Sequence, residues 1–259
     1  MEKKNFKYIY GPVPSWRLGS SLGVDLLSRQ KKICNFDCIY CQLGATERYT
    51  TKREVYVPAK EVIREIRSLP FVPIDYITFS GRGEPGLAAN LTEVIKEIRL
   101  IRSEPLAILT NSCLMGNRDF RKELLPIDFV CLKMDACSQA SLREINRPAK
   151  NVEFKDILRG IRQFRKEYTG KLALQIMFVE QNKSLAKELS RFAKEVKPDE
   201  IQINTPLRLS AVRPLTRKEL FDIKGYFKGL NTVSVYDKKH KQVLSISTKD
   251  TLKRRGKQV

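Results

Sequence analysis

Cys34-Asn35-Phe36-Asp37-Cys38-Ile39-Tyr40-Cys41 sets three thiols within one short stretch. Thiolates are the usual ligands of iron–sulfur clusters, and a compact loop wraps three corners of a cubane only when its cysteines are this closely spaced. Three ligands leave one iron open, which separates a catalytic cluster from an electron carrier whose corners are all filled. Zinc or three buried thiols are the competing readings. Structural zinc prefers four ligands, however, and the only histidine lies far along the chain at position 240.

The stretch follows the first of six strand candidates, at residues 22–27, 74–79, 106–109, 127–134, 172–179 and 200–203. Each but the last precedes a helical pattern, the signature of βα units carrying a parallel sheet. Val62, Ile63, Ile66 and Leu69 repeat at helical spacing after Pro58, as do Leu91, Val94, Ile95 and Ile98. Phe154, Ile157, Leu158, Ile161 and Phe164 form a third apolar stripe, and Leu185, Leu189, Phe192 and Val196 a fourth. Thr216 with Glu219 reads as a capping box. Strands over 233–236 and 243–246 are expected next, then a basic tail from Thr251 that is mobile or orders on a partner. The expectation is a partial (β/α)6 TIM-like barrel over residues 1–206, with a small C-terminal extension over 207–259. Loops at the C-terminal ends of barrel strands are where active sites sit, and the cysteine stretch falls in such a loop.

The 49 basic residues exceed the 29 acidic ones by 20. That excess goes beyond the needs of solubility and points to a polyanionic partner such as nucleic acid. No run of about 18 apolar residues is present and the first residues lead into no signal-peptide core, so no membrane partner and a cytoplasmic location are expected. Cys113, Cys131 and Cys137 are scattered. They are either buried free thiols or ligands of an auxiliary cluster.

Ser80-Gly81-Arg82-Gly83-Glu84-Pro85 follows the second strand candidate. With the cysteine stretch, and with Tyr40 just before its last cysteine, it resembles the radical S-adenosylmethionine (SAM) superfamily, whose GEP-type motif receives the amino group of SAM. The likeness extends to Tyr10-Gly-Pro-Val-Pro-Ser-Trp-Arg-Leu-Gly19, Cys41-Gln-Leu-Gly44, Thr110-Asn111, Ile145-Asn-Arg-Pro148 and Asn204-Thr-Pro206. These are similar to an uncharacterised radical SAM group related to the wyosine-forming tRNA enzymes, over roughly residues 8 to 210. The resemblance implies a 4Fe-4S cluster on Cys34, Cys38 and Cys41, SAM on the open iron, and reductive cleavage to a 5'-deoxyadenosyl radical. It also implies an electron donor such as flavodoxin or ferredoxin. Tyr40, Gly81, Gly83 and Glu84 are the implied cofactor-binding residues of the two motifs. Arg82 is bulkier than the small residue expected inside that loop. Wyosine-type enzymes carry additional cysteines before the radical loop, and this chain has none, which argues against pyruvate condensation on tRNA.

Thr110 and Asn111, at the end of the third strand, can reach the SAM carboxylate or ribose, although Asn is also a strand-end turn former. The resemblance further implies that Asp135, ending the fourth strand, stands where the superfamily often has a polar ribose contact, and that Asn204 to Pro206 at the sixth strand can line the adenine pocket. Strand alternation puts Cys131, Lys133 and Asp135 on one face. There Lys133 can bind a phosphate, pair with Asp135, form a Schiff base with a carbonyl substrate, or stand in a purely structural ion pair. Modification of a tRNA-like RNA is the leading expectation, with phosphate contacts supplied by the basic excess. Modification or activation of a protein, with an acidic partner, is the second. A cluster-bearing redox sensor is the third.

Overall fold

The computed structural model describes residues 6–28, 31–237 and 241–255. His240 and the last four residues of the expected tail lie outside the described residues. An eight-stranded sheet runs in the order β1 (Ile9–Ser15), β2 (Gly19–Val24), β5 (Tyr76–Phe79), β6 (Leu106–Thr110), β7 (Phe129–Lys133), β8 (Lys171–Met177), β9 (Glu200–Asn204), β10 (Thr232–Ser234). Every pairing from β2 to β10 is parallel. β1 alone runs antiparallel, in a hairpin with β2. The sheet curls into a half-barrel, as the βα alternation predicts. A separate two-stranded pairing joins β3 (Ile33–Cys34) to β4 (Arg48–Tyr49).

The strands alternate between two environments. Phe129 and Cys131 of β7 pack inside the curl with Ala107, Ala173 and Leu18. Val130 and Leu132 join the larger core beneath the helices. The covering helices are α1 (Ala59–Arg67), α2 (Leu91–Ile101), α3 (Arg118–Leu124), α4 (Gln139–Ile145), α5 (Phe154–Glu167) and α6 (Ala186–Val196). α1 buries Val62, Ile63 and Ile66, and α5 buries Ile157, Ile161 and Phe164. The expected stripes are therefore the packing faces. α7 (Arg217–Lys224) opens on the expected capping box, with Thr216 and Glu219 bonding reciprocally.

The segment beyond residue 206 departs from expectation in two places. Of the two strands expected there, β10 extends the sheet beside β9, whereas 243–246 forms none and meets β1 at Gly11 O, which accepts from Ile246 N–H at 2.6 Å and from Ser245 Oγ at 3.0 Å. Residues 251–255 of the expected tail belong to a helix, α8 (Thr248–Arg255), which packs on β1. Its order comes from polar anchors: Gly11 N–H donates to Thr251 Oγ1, and Arg254 is buried. Among the described residues no helix is long and apolar enough to cross a membrane.

Candidate functional site

The cysteine loop leaves the end of β2 and is held from several sides. Cys34 pairs with Tyr49 in the β3–β4 ladder. Asp37 N–H donates to Asn146 O and Ile39 N–H to Ile145 O, so the end of α4 grips the loop, while Ala149 N–H returns to Asn35 O. Gly83 bridges Ile33. A Cβ on Gly83 would collide with the Ile33 carbonyl, so this glycine is what lets the two sequence motifs touch.

The sulfurs have donors waiting. Phe36 N–H and Asn111 Nδ2 point at Cys34 Sγ, at 3.5 and 3.7 Å, and Asn146 Nδ2 lies 3.4 Å from Cys38 Sγ. Hydrogen bonds to ligating sulfur are a main control of cluster potential. Burial pushes the Cys34 thiol up to about 12 and raises that of Cys38. A buried thiolate needs a compensating cation, which iron supplies. Among the described residues, no three His, Cys, Asp or Glu side chains converge as ligands of a single metal ion. Cubane ligands each take a different iron and so stand further apart. Three thiols on one loop, with N–H donors aimed at two of the sulfurs, are a donor set that fits three corners of a cubane.

A cavity of about 380 Å³ opens beside this loop at the C-terminal end of the strands, within the roughly 300–1,000 Å³ typical of small-molecule sites. Tyr40, Cys41, Gly81, Gly83, Lys133 and Asn204 line it, whereas Cys34, Cys38, Glu84, Thr110, Asn111 and Asp135 do not. Asn111 and Asp135 instead border a void of about 10 Å³ behind Lys133. The placement of Glu84 is informative. Its buried carboxylate accepts from Gly86 N–H at 2.9 Å, Thr110 Oγ1 at 2.7 Å and Asn111 N–H at 2.6 Å. It thus ties the glycine turn to the end of β6, and burial raises its pKa.

Tyr40, Lys133 and Asp135 form one network. Lys133 Nζ donates to Tyr40 Oη at 2.8 Å and stands 3.6 Å from Asp135 Oδ2. Tyr40 Oη donates to that same oxygen, which also accepts from Asn146 Nδ2 at 2.9 Å, while Met177 N–H donates to Oδ1 at 2.7 Å. Burial, followed by the Asp135 charge, raises the Tyr40 phenol well above its ordinary value. The β7 alternation thus directs Lys133 into the cavity, with Asp135 buried at its base.

Sequence reasoning named none of the three arginines in the cavity wall, Arg17, Arg208 and Arg254. Arg17 lies in the quoted Trp16-Arg17 motif and, with Asn204 Nδ2, donates to the Gln175 side-chain oxygen. Arg208 reaches Gln42 Oε1 at 3.4 Å, joining the loop after β9 to the cysteine loop. Asn146 was visible only as part of the Ile145–Pro148 motif, with no role attached. The three scattered cysteines occupy different settings. Cys131 packs inside the curl, Cys137 N–H bonds Ser141 Oγ at the start of α4, and Cys113 N–H bonds Asn111 Oδ1.

The sequence model described as the Radical SAM superfamily matches residues 31–193. A UPF0026 protein of Synechocystis is 36% identical over 214 residues, covering 82% of this chain and 79% of that protein. Among solved structures, Streptococcus suis SuiB bound to S-adenosylmethionine superposes with a TM-score of 0.64 at 16% identity, over 84% of this chain and 50% of SuiB. TYW1 with a lysine-pyruvate adduct bound superposes with a TM-score of 0.63 at 15% identity, over 88% of this chain and 79% of TYW1. These two likenesses speak to the fold. With the family match spanning the cysteine loop and most of the half-barrel, the chain belongs to the radical SAM superfamily, enzymes that use a 4Fe-4S cluster and SAM, and within it to the UPF0026 group.

Proposed function

We propose that Cys34, Cys38 and Cys41 hold the cluster, that SAM occupies the 380 Å³ cavity beside Tyr40, Gly81, Gly83 and Asn204, and that the substrate is a phosphate-bearing RNA of tRNA type. The observation that carries the substrate class is the cavity wall. Arg17, Lys133, Arg208 and Arg254 line it, and no carboxylate does among the described residues. Cations facing a partly desolvated cleft favour an anionic ligand, and the net charge of +20 extends that preference over the surface.

When bound, cluster and SAM supply the reductive cleavage and the hydrogen-abstracting radical, with an electron from a flavodoxin- or ferredoxin-type donor. The protein's own residues do the rest. Asn111 and Asn146 donate toward the cluster sulfurs, and Glu84 braces the glycine turn through Thr110 and Asn111. Lys133, oriented by Tyr40 and Asp135, presents a fixed ammonium to a substrate phosphate. The apolar wall of buried Met177 and half-buried Leu109 limits water at the reacting centre.

The test is anaerobic reconstitution followed by SAM and dithionite, with 5'-deoxyadenosine measured beside Cys34→Ala, with and without tRNA. Formation that requires the cysteine and rises with tRNA is expected. RNA binding should weaken steeply with salt, and Arg208→Ala should weaken it without changing iron content. Binding indifferent to salt, or turnover stimulated only by a protein fraction, would replace RNA with a protein substrate. A fully assembled cluster with no SAM cleavage would return the sensor reading.

A further inference from the structure

We infer that Arg254, in the C-terminal helix, is a positioning residue for the glycine turn at 80–83, acting through Asp25; the inference rests on the reading of that turn as part of the SAM site.

Arg254 Nε lies 3.4 Å from Asp25 Oδ2, and the two side chains are 5% and 1% exposed. Neither atom has a hydrogen-bond partner, so what joins them is charge. Arg254 is held in place from α8 and from the N-terminal edge. Its Nη1 donates to Asp250 O at 3.0 Å, and its Nη2 to Ser28 Oγ at 2.8 Å and to Lys7 O.

Asp25 stands directly under the turn. Its carboxylate accepts the Arg82 backbone N–H. A Cβ on Gly81, whose φ is +145°, would run into the Asp25 carboxyl. A second path reaches the start of the turn: the Arg254 guanidinium lies 5.9 Å from the Tyr10 ring centre, and Tyr10 Oη bonds Ser80 Oγ at 2.8 Å. Ser80, Gly81, Gly83, Tyr10 and Arg254 all line the cavity. Removing Arg254 leaves a buried carboxylate without its counter-charge. Such a group moves toward water or takes a proton, and either response alters its hold on the Arg82 amide. The last helix is in this way a component of the cofactor site.

The test uses the full-length chain with Arg254→Met and Arg254→Lys. Amide exchange at Arg82 and Gly83 is measured in the cluster-free protein, and iron content and SAM affinity after reconstitution. Arg254→Met is expected to speed exchange at Arg82 and to raise the SAM Kd, each by about tenfold, with iron content retained. Arg254→Lys should recover most of both. If Arg254→Met does not fold, Asp25→Ala with Arg254→Met, which leaves no unpaired buried charge, should show the same two changes. Unchanged exchange in a folded variant overturns the inference, as does a chain-wide rise in exchange accompanied by loss of iron. Local loosening with unchanged SAM affinity shows that the turn is not SAM's, and overturns the inference through the reading it rests on.

Discussion

Glu84 offers the sharpest separation between a ligand-binding acid and a structural brace. In Glu84→Ala, three donors lose their acceptor at a buried position: Gly86 N–H, Thr110 Oγ1 and Asn111 N–H. At about 1–3 kcal/mol for each buried group left unsatisfied, less whatever relaxation returns, the loss is roughly 3–5 kcal/mol. Glu84→Gln keeps the shape but sets an amide NH2 against at least one of those donors, for a loss of about 1–3 kcal/mol. Urea unfolding of the cluster-free protein is the assay, because neither iron nor SAM then contributes. The brace predicts both losses in that state, with Ala the worse. Cluster-free stability within about 0.5 kcal/mol of wild type for both variants, alongside weakened SAM binding, would refute the reasoning and return Glu84 to the role of direct ligand.

Gly83→Ala forces a methyl into the Ile33 carbonyl; a cost of about 3 kcal/mol and low iron incorporation are expected, read by thermal melting and iron analysis. Asn111→Ala and Asn146→Ala each remove an N–H donor from a cysteine sulfur. A lost bond of about 1 kcal/mol corresponds to roughly 40 mV for one electron, and the shift should be negative because such donors stabilise the reduced cluster; a redox titration followed by electron paramagnetic resonance checks it. Burial lifts Asp25 from its ordinary 3.8 to about 6, against the opposing pull of Arg254. A carboxylate raised on folding contributes stability that is full below pH 4 and lost as pH rises through 6, here about 3 kcal/mol. The stability of wild type minus that of Asp25→Asn should fall by that amount across the window, as urea titrations at successive pH values would reveal.

The parts legible in sequence were those written in local spacing. That Cys131, Lys133 and Asp135 share a face follows from a period of two, but that Lys133 on this face lines the cavity was decided by the curl of the sheet. β1 was not among the strand candidates; it carries Pro12 and Pro14, which strand patterns disfavour and which it tolerates as the antiparallel edge of the sheet. α8 escaped because Thr248–Arg255 is almost wholly polar and shows no apolar stripe. Its anchor, the Arg254–Asp25 pair, joins opposite ends of the chain. Asn111 and Asn146 were visible as residues, but their aim at Cys34 and Cys38 was not.

By itself the sequence determined the parallel βα architecture, the three-thiol loop and the family, because each is encoded in the order and period of neighbouring residues. Tertiary structure alone decided that Glu84 turns into the protein, that four cations share one cavity wall, and that the C-terminal helix sets Arg254 against Asp25, the residue under the glycine turn. Those outcomes depend on which distant groups meet in a low-dielectric interior, where every buried charge and donor must find its partner.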